Sequence, residues 1–335
     1  MLVGAKLGKD KAGVIEKPDP VAKDDFAVVK IHVVPMCTEY HGHHGDGEGC
    51  GFGHEAAGEV VEIAQPGKVK VGDRVVVMPQ YPCGKCALCL SGEYIHCLNI
   101  VNIPELFGPD AATATYAQYV VKQDWLLLPI PDEMSYEHAG MACCGLGPTF
   151  NAMKLMSVGP FDTVLITGMG PVGLGGVINA RFRGARVIAV ESQPYRAELA
   201  KTLGAEAVVN PNDEDAVEQV MALTGGLGAD KSVDTSGSAE AKPFLINCAR
   251  RKGQVSFVGW GGVVDCGTII AKGLTLHGAW HYNMADAHAM MQMIGQVGDE
   301  LDKLITHTFP MTDLEKAWDQ QCTGNCGKVL LYPWK

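Results

Sequence analysis

Four cysteines stand close together in Pro82-Cys83-Gly84-Lys85-Cys86-Ala87-Leu88-Cys89 and, after seven intervening residues, Cys97. Two CxxC units share their middle cysteine, a spacing that turns can fold around one ion. Four thiolates around tetrahedral Zn²⁺ leave no coordination position open, so a site of this composition stabilises a lobe and does no chemistry. Disulfides fit the crowded spacing poorly, and an iron–sulfur cluster is the alternative use of four thiolates.

Three further segments carry metal-ligand residue types: Cys37-Thr38-Glu39-Tyr40-His41, Gly53-His54-Glu55 and Cys143-Cys144-Gly145. Two thiolates and one neutral imidazole on Zn²⁺ would leave a fourth position for water or substrate, the arrangement of a catalytic ion. Taken singly, Cys37 and Cys144 also read as buried thiols and His54 as a hydrogen-bonded core histidine. Between His41 and His54 half of the residues are glycine, and His43, His44, Asp46 and Glu48 are candidate ligands of a further ion. The composition of that stretch predicts a mobile, solvated loop instead. Cys322 and Cys326, beside Gly324 and Gly327, read as ordinary turn cysteines.

A third chemistry lies at Gly168-Met169-Gly170-Pro171-Val172-Gly173, which follows the apolar run Thr163–Thr167 and leads into a helix-compatible stretch. In that strand-to-helix context GxGxxG is a dinucleotide signature. Gly168 permits the tight turn, Gly170 the approach of a pyrophosphate, and Gly173 close helix–sheet packing. The helix that starts at Pro171 offers the free N–H groups of its first turn, from Val172 on, and a positive dipole end to phosphate. Glu191 closes the next strand, where a carboxylate accepts hydrogen bonds from a ribose diol and repels a 2′-phosphate, so NAD is expected over NADP. Arg196, just beyond, would cover an adenine or attract a phosphate; a solvated helix-start arginine is the plainer reading.

These residues need two kinds of scaffold. The first 125 residues alternate short β-like runs (26–34, 57–63, 74–78, 116–121) with Gly, Pro and Asp turns, predicting a mainly β domain. From Asp162 strands at 163–167, 186–190, 207–209, 231–235 and 254–258 alternate with helical stretches, the pattern of βαβ units and a parallel sheet. A Met-rich helix (285–294), a helix at 313–321 and a last strand (328–332) follow, and the last strand is expected to return to the first domain. The expected division is 1–150 with 283–335 as one domain and 151–282 as the other. A net charge of −11 without a Lys/Arg run argues against nucleic-acid binding. No apolar stretch reaches the length of a membrane span, and Met1 to Asp10 lacks a secretion-signal pattern. Twelve cysteines then read as ligands and free thiols, and the chain is expected to be cytoplasmic.

Together the 83/86/89/97 spacing, Gly53-His54-Glu55-Ala56-Ala57-Gly58 and Gly168 to Gly173 resemble the zinc-containing medium-chain dehydrogenase/reductase family over nearly the whole chain. The resemblance implies an α/β fold, with a GroES-like, mainly β catalytic domain and a doubly wound Rossmann domain. It also implies two zinc ions, NAD, a small alcohol or carbonyl substrate, and a homodimer or homotetramer. Carried onto this sequence, Cys37, His54 and Cys144 would bind the catalytic zinc, with Cys143 exchanged for Cys144 by a one-residue slip. Glu55 would be a nearby or transient ligand, and Thr38 and His41 a proton relay. Val258, Gly259, Ala279 and His281 would lie near the nicotinamide.

Two departures stand out. Thr38 follows Cys37 directly, where the family usually has one residue between, and an ungapped alignment would put Met36 in the ligand position. Cys144 stands where many polyol-oxidising members carry glutamate. The implied reaction is hydride transfer between an alcohol, polar and hydroxylated rather than long and aliphatic, and NAD. A redox-neutral epimerase or lyase with tightly held NAD, and a non-catalytic NAD- or zinc-binding protein, are the competing readings.

Overall fold

The computed structural model describes residues 1–108 and 110–335. The chain opens with β1 (Leu2–Gly8), β2 (Lys11–Glu16), β3 (Phe26–Pro35), β4 (Gly49–Cys50), β5 (Ala56–Glu62), β6 (Arg74–Val77), β7 (Tyr119–Gln123) and β8 (Leu127–Pro129). Then β9 (Thr163–Thr167), β10 (Arg186–Val190), β11 (Ala207–Val209), β12 (Ala229–Asp234), β13 (Ala249–Phe257) and β14 (Thr275–Gly278) alternate with helices. It closes with β15 (Ile305–Pro310), the helix Leu314–Cys322 and β16 (Lys328–Tyr332). Two compact units result: Met1–Cys144 with Asn283–Gln296 and Ile305–Lys335, and Gly145–Tyr282 with Val297–Leu304.

In the first unit β3 is the organising strand, pairing antiparallel with β5, β7 and β16. Its sequence, Phe-Ala-Val-Val-Lys-Ile-His-Val-Val-Pro, is apolar at almost every position because it is covered on both faces. Val29, Ile31, Val75, Trp318, Val329 and Leu331 meet in the core beneath it. The last strand, read from sequence at 328–332, joins here through Leu331 opposite Val34. The run expected as a strand at 116–121 pairs with β3 only from Tyr119, because its first residues turn to β1 instead: Ala117 bridges Val3, and the carbonyl of the fully buried Tyr116 accepts from the Gly4 N–H at 2.7 Å. Met290, Met291 and Met293 are buried core fillers, as their amphipathic spacing implies.

The second unit is a six-stranded, all-parallel sheet in the order β11-β10-β9-β12-β13-β14. The strand order reverses between β9 and β12, the kind of place where doubly wound sheets hold ligands at their carboxyl ends. Two boundaries differ from those expected. The chain changes unit after Cys144 instead of at 150, because the helix Gly147–Leu155 packs on the helix Pro171–Phe182. Asn179 there donates to Leu146 O at 3.1 Å and Thr149 Oγ1 at 2.9 Å. Residues 297–304 also belong to this unit, since the helix Gly298–Leu304 buries Leu301 and Leu304 and packs against Pro171–Phe182 and Pro194–Thr202. Among the described residues no helix is long and apolar enough to cross a membrane.

The turn after β9 shows how tightly the second unit is built. A Cβ on Gly173 would lie 1.8 Å from Gly168 O and 2.7 Å from Thr235 Oγ1, whereas one on Gly170 would meet nothing within 4 Å. Gly173→Ala is therefore expected to destabilise by roughly 1–3 kcal/mol through overpacking, while Gly170→Ala leaves the melting temperature nearly unchanged. Differential scanning calorimetry of the two variants checks this, and equal losses would contradict it.

Candidate active site and metal centres

β3 ends at Pro35, and Met36 stays in the core with its N–H on Val329 O at 2.9 Å, so Met36 is not the residue offered to a metal. The next residue is. Cys37, His54, Glu55 and Cys144 each present a ligand atom, all within 4.8 Å of one another. His54 Nε2 lies 3.2 Å from Cys144 Sγ. Cys143 takes no part: it is buried, and its thiol donates to Val77 O at 3.4 Å.

Glu39, which the sequence reading passed over, organises this cluster. One carboxylate oxygen pairs with His54 Nδ1 at 2.9 Å, and the other accepts from the Cys37 N–H and from the Tyr116 hydroxyl, each at 3.1 Å. A carboxylate on the second nitrogen of a metal-binding histidine fixes its tautomer and ring orientation. The available signal was a carboxylate two residues after a ligand cysteine.

Behind the cluster Lys328 on β16 donates to Glu55 Oε1 at 2.8 Å, and both side chains are fully buried. Glu55 Oε2 is buried with no hydrogen-bond partner. Burial pushes the Glu55 carboxyl up to about 7 against the pull of Lys328, and the neighbouring Cys37 adds to the rise. Burial disfavours a charged His54, yet its hydrogen bonds to Cys37 and Glu39 outweigh this and raise it to about 11. The Cys144 hydrogen bond holds Cys37 well below the usual thiol range, and the same bond together with burial pushes Cys144 well above it. Two sulfurs and one imidazole thus share their protons beside an orphaned carboxylate oxygen, a donor set that suits a divalent cation taking the place of those protons.

Thr38 precedes the single helical turn Glu39–Gly42, and both Thr38 and His41 are exposed, joined through the His41 N–H to Thr38 O at 3.0 Å.

At the second cysteine set the sulfurs of Cys86 and Cys89 are 3.5 Å apart and those of Cys86 and Cys97 3.9 Å. Zinc–sulfur bonds of about 2.3 Å at tetrahedral angles require about 3.8 Å. The backbone N–H groups of Cys83 and Asn99 point at Cys97 Sγ, 3.2 and 3.3 Å away, and that of Cys86 at Cys83 Sγ, 3.3 Å away. Backbone N–H groups of Leu98 and Cys89 bring the Cys86 thiol down to about 6. The lobe is tied to the returning segment: Asn283 Nδ2 donates to Ser91 O at 2.8 Å and Glu93 Oε1 at 2.7 Å.

In the second unit Gly168 takes φ +82 against Ser236, and the helix begins at Pro171 with Gly170 in extended backbone. Glu191 at the end of β10 accepts from the Met169 N–H at 2.7 Å and the Gln193 N–H at 2.8 Å, so it braces the glycine turn and keeps further lone pairs for a diol. Arg196 sits half-buried in the first turn of the helix Pro194–Thr202. Val258 and Gly259 both donate to Asp234 O at 2.9 Å. The Asp234 side chain, missed in the sequence, accepts from Thr167 at 3.1 Å, Ser236 Oγ at 2.8 Å and Lys242 at 2.9 Å, tying the ends of β9 and β12 to the helix Ala241–Cys248. Ala279 and His281 are buried just beyond β14, and Asn151 Nδ2 donates to His281 O at 2.7 Å.

A family model described as "Alcohol dehydrogenase GroES-like domain" matches residues 23–132, and one described as "Zinc-binding dehydrogenase" matches 171–296. L-threonine 3-dehydrogenase of Pyrococcus horikoshii is 36% identical over 290 residues, 83% of this chain and 80% of the relative. D-arabitol-phosphate dehydrogenase of Enterococcus avium is 32% identical over 342 residues, 97% of this chain and 94% of the relative. The solved alcohol dehydrogenase from Thermus sp. ATN1 superposes with TM-score 0.89 at 24% identity, covering 99% of each chain, a likeness of fold.

Two outcomes are expected of the open cluster. Glu39→Gln should weaken its zinc affinity by roughly 10–100-fold while the four-cysteine lobe keeps its ion, read as chelator-resistant zinc per chain. Zinc added to protein stripped only at the open cluster should release more than two protons at neutral pH, one from Cys144, one from His54 and a fraction from Glu55, because Cys37 is already ionised while the Glu55 carboxyl is held up at about 7. Its apparent affinity must then rise with pH through the neutral range. Proton release near zero in a weakly buffered titration would contradict this charge assignment.

Proposed function

Since this chain belongs to the zinc-dependent medium-chain dehydrogenases, we propose that it oxidises the hydroxyl of a small polar substrate, an amino alcohol or a polyol, with NAD as hydride acceptor. The observation that carries the reading is the cluster of Cys37, His54 and Cys144, braced by Glu39, with its two thiolates and one imidazole. Such a set leaves one position for the substrate oxygen.

When bound, zinc supplies Lewis acidity that makes the substrate hydroxyl acidic near neutral pH, and NAD supplies the carbon that accepts hydride. The rest falls to the chain. Cys37, His54 and Cys144 would hold the ion; Glu39 holds the His54 ring; Glu55, backed by Lys328, would stand beside the ion as a further carboxylate donor. Thr38 accepts the substrate proton and His41, exposed on the same turn, passes it to solvent. Gly168, Gly170, Pro171, Val172 and Gly173 seat the pyrophosphate, Glu191 takes the ribose diol and Arg196 covers the adenine. Val258, Gly259, Ala279 and His281 form the nicotinamide end of the cofactor site. Cys83, Cys86, Cys89 and Cys97 hold the structural zinc.

We further place the working enzyme as a cytoplasmic homodimer or homotetramer. None of the twelve cysteines is in a disulfide, which supports a reducing compartment. β14 is an open sheet edge, and Trp260 (75%), Val263 (80%) and Ile270 (79%) are exposed in the same unit, which supports self-association.

A screen of amino alcohols, polyols and aliphatic alcohols following NADH formation tests the reading. The expected result is net NADH, with kcat/KM at least about tenfold higher for polar substrates than for aliphatic alcohols of equal length, a difference of about 1.4 kcal/mol in transition-state binding. Thr38→Ala should lower kcat by roughly 10²–10⁴, and Glu191→Ala should erode the preference for NAD over NADP. A product formed without NADH release would overturn the dehydrogenase assignment.

A further inference from the structure

Outside both zinc-ligand sets a third group of donors comes together from distant parts of the first unit. Asp10, His43 and His44 each offer a ligand atom, all within 4.8 Å of one another. Asp10 lies in the turn between β1 and β2 at φ +55; the two histidines follow the turn Glu39–Gly42. The segment is held by its backbone. The Asp10 N–H donates to His43 O at 3.1 Å, the His43 N–H to Tyr40 O at 2.9 Å, and Lys6 Nζ to the carbonyls of Gly42 and Gly45. The expectation of a loose, solvated loop therefore fails at its start, and among the described residues the cluster takes in Asp10 in place of Asp46 and Glu48.

His43 is the informative member. Its side chain is fully buried against Trp318 and His44, with ring centroids 5.4 and 5.2 Å away. Nε2 pairs with Asp319 Oδ1 at 3.1 Å, while Nδ1 is buried with no hydrogen-bond partner. An imidazole with one nitrogen on a carboxylate and the other unpartnered is how a metal-binding histidine is commonly held. His44 Nδ1 lies 2.6 Å from Asp10 Oδ1, so the second imidazole and the carboxylate already converge. The two carboxylates balance a divalent charge, and a mixed nitrogen and oxygen set suits zinc, cobalt or nickel better than calcium or magnesium.

We propose that Asp10, His43 and His44 form a third metal site, which takes a divalent transition-metal cation, with Asp319 holding the His43 ring. A cation there joins the β1–β2 turn, the segment just after Thr38 and His41, and the helix Leu314–Cys322. The site rests on this geometry alone and stands whether or not the proposed reaction is correct.

The test uses the whole protein with its two cysteine-containing sites filled with zinc. Zinc alone is titrated by equilibrium dialysis with elemental analysis, and cobalt alone by absorption. A third equivalent is expected, with weak cobalt bands and no thiolate charge-transfer band. Because His43→Gln removes a buried side chain, the exposed positions carry the test. His44→Gln should abolish the third equivalent and keep the other two, Asp10→Asn should weaken it at least about tenfold, and Asp319→Asn by roughly 10–100-fold. Asp46→Asn should retain it. Saturation of the wild type at two equivalents, a thiolate–cobalt band, or unchanged uptake by both His44→Gln and Asp10→Asn would overturn the proposal.

Discussion

The first unit is built around a charge problem. Cys37, His54, Glu55 and Cys144 gather groups that cannot all ionise side by side without a cation, and three features keep the cluster intact. Glu39 binds His54 and the Cys37 backbone, Lys328 neutralises Glu55 from beneath, and the Cys37–Cys144 hydrogen bond leaves one thiol protonated. A buried carboxylate and amine gain little net stability over an apolar pair, and removing either partner alone is costly. Their presence is better explained by the site than by the fold. β3, β5 and β16 meet where Cys37, Glu55 and Lys328 must converge.

The second unit solves a different electrostatic problem, that of an acidic chain accommodating an anion. In the proposed function local backbone would do this, with the turn at Gly168 to Gly173 opening a helix whose N-terminus lies at the carboxyl end of β9. Glu191 and Asp234 brace that end from two sides, the first through the Met169 N–H and the second by tying β9 and β12 to the helix Ala241–Cys248. Packing then leaves Gly173 no room for a Cβ while Gly170 stays open. One motif would thereby serve both structure and, in the proposed function, recognition.

What was legible in the sequence is what is local. The strands at 163–167, 186–190, 207–209 and 328–332 match their expected bounds because apolar runs between turn residues have few alternatives. The four-cysteine spacing and the glycine turn are short-range patterns of the same kind. Glu39 was hidden by sitting inside a motif read for its cysteine and histidine. Lys328 and Asp10 were hidden because their partners, Glu55 and the His43–His44 pair, are far away in sequence. The boundary after Cys144 follows from helix–helix packing, which hydrophobic pattern alone does not assign to one core or another.

The central claim is that Cys37, His54 and Cys144 form one open metal centre. Anomalous diffraction at the zinc absorption edge from crystals of the protein tests it most directly. The expected result is a peak bonded to the two sulfurs at about 2.3 Å and to the His54 nitrogen at about 2.0–2.1 Å, with a fourth ligand not drawn from the four-cysteine lobe. A zinc-replete crystal with a peak at Cys83, Cys86, Cys89 and Cys97 and none at Cys37, His54 and Cys144 would contradict it.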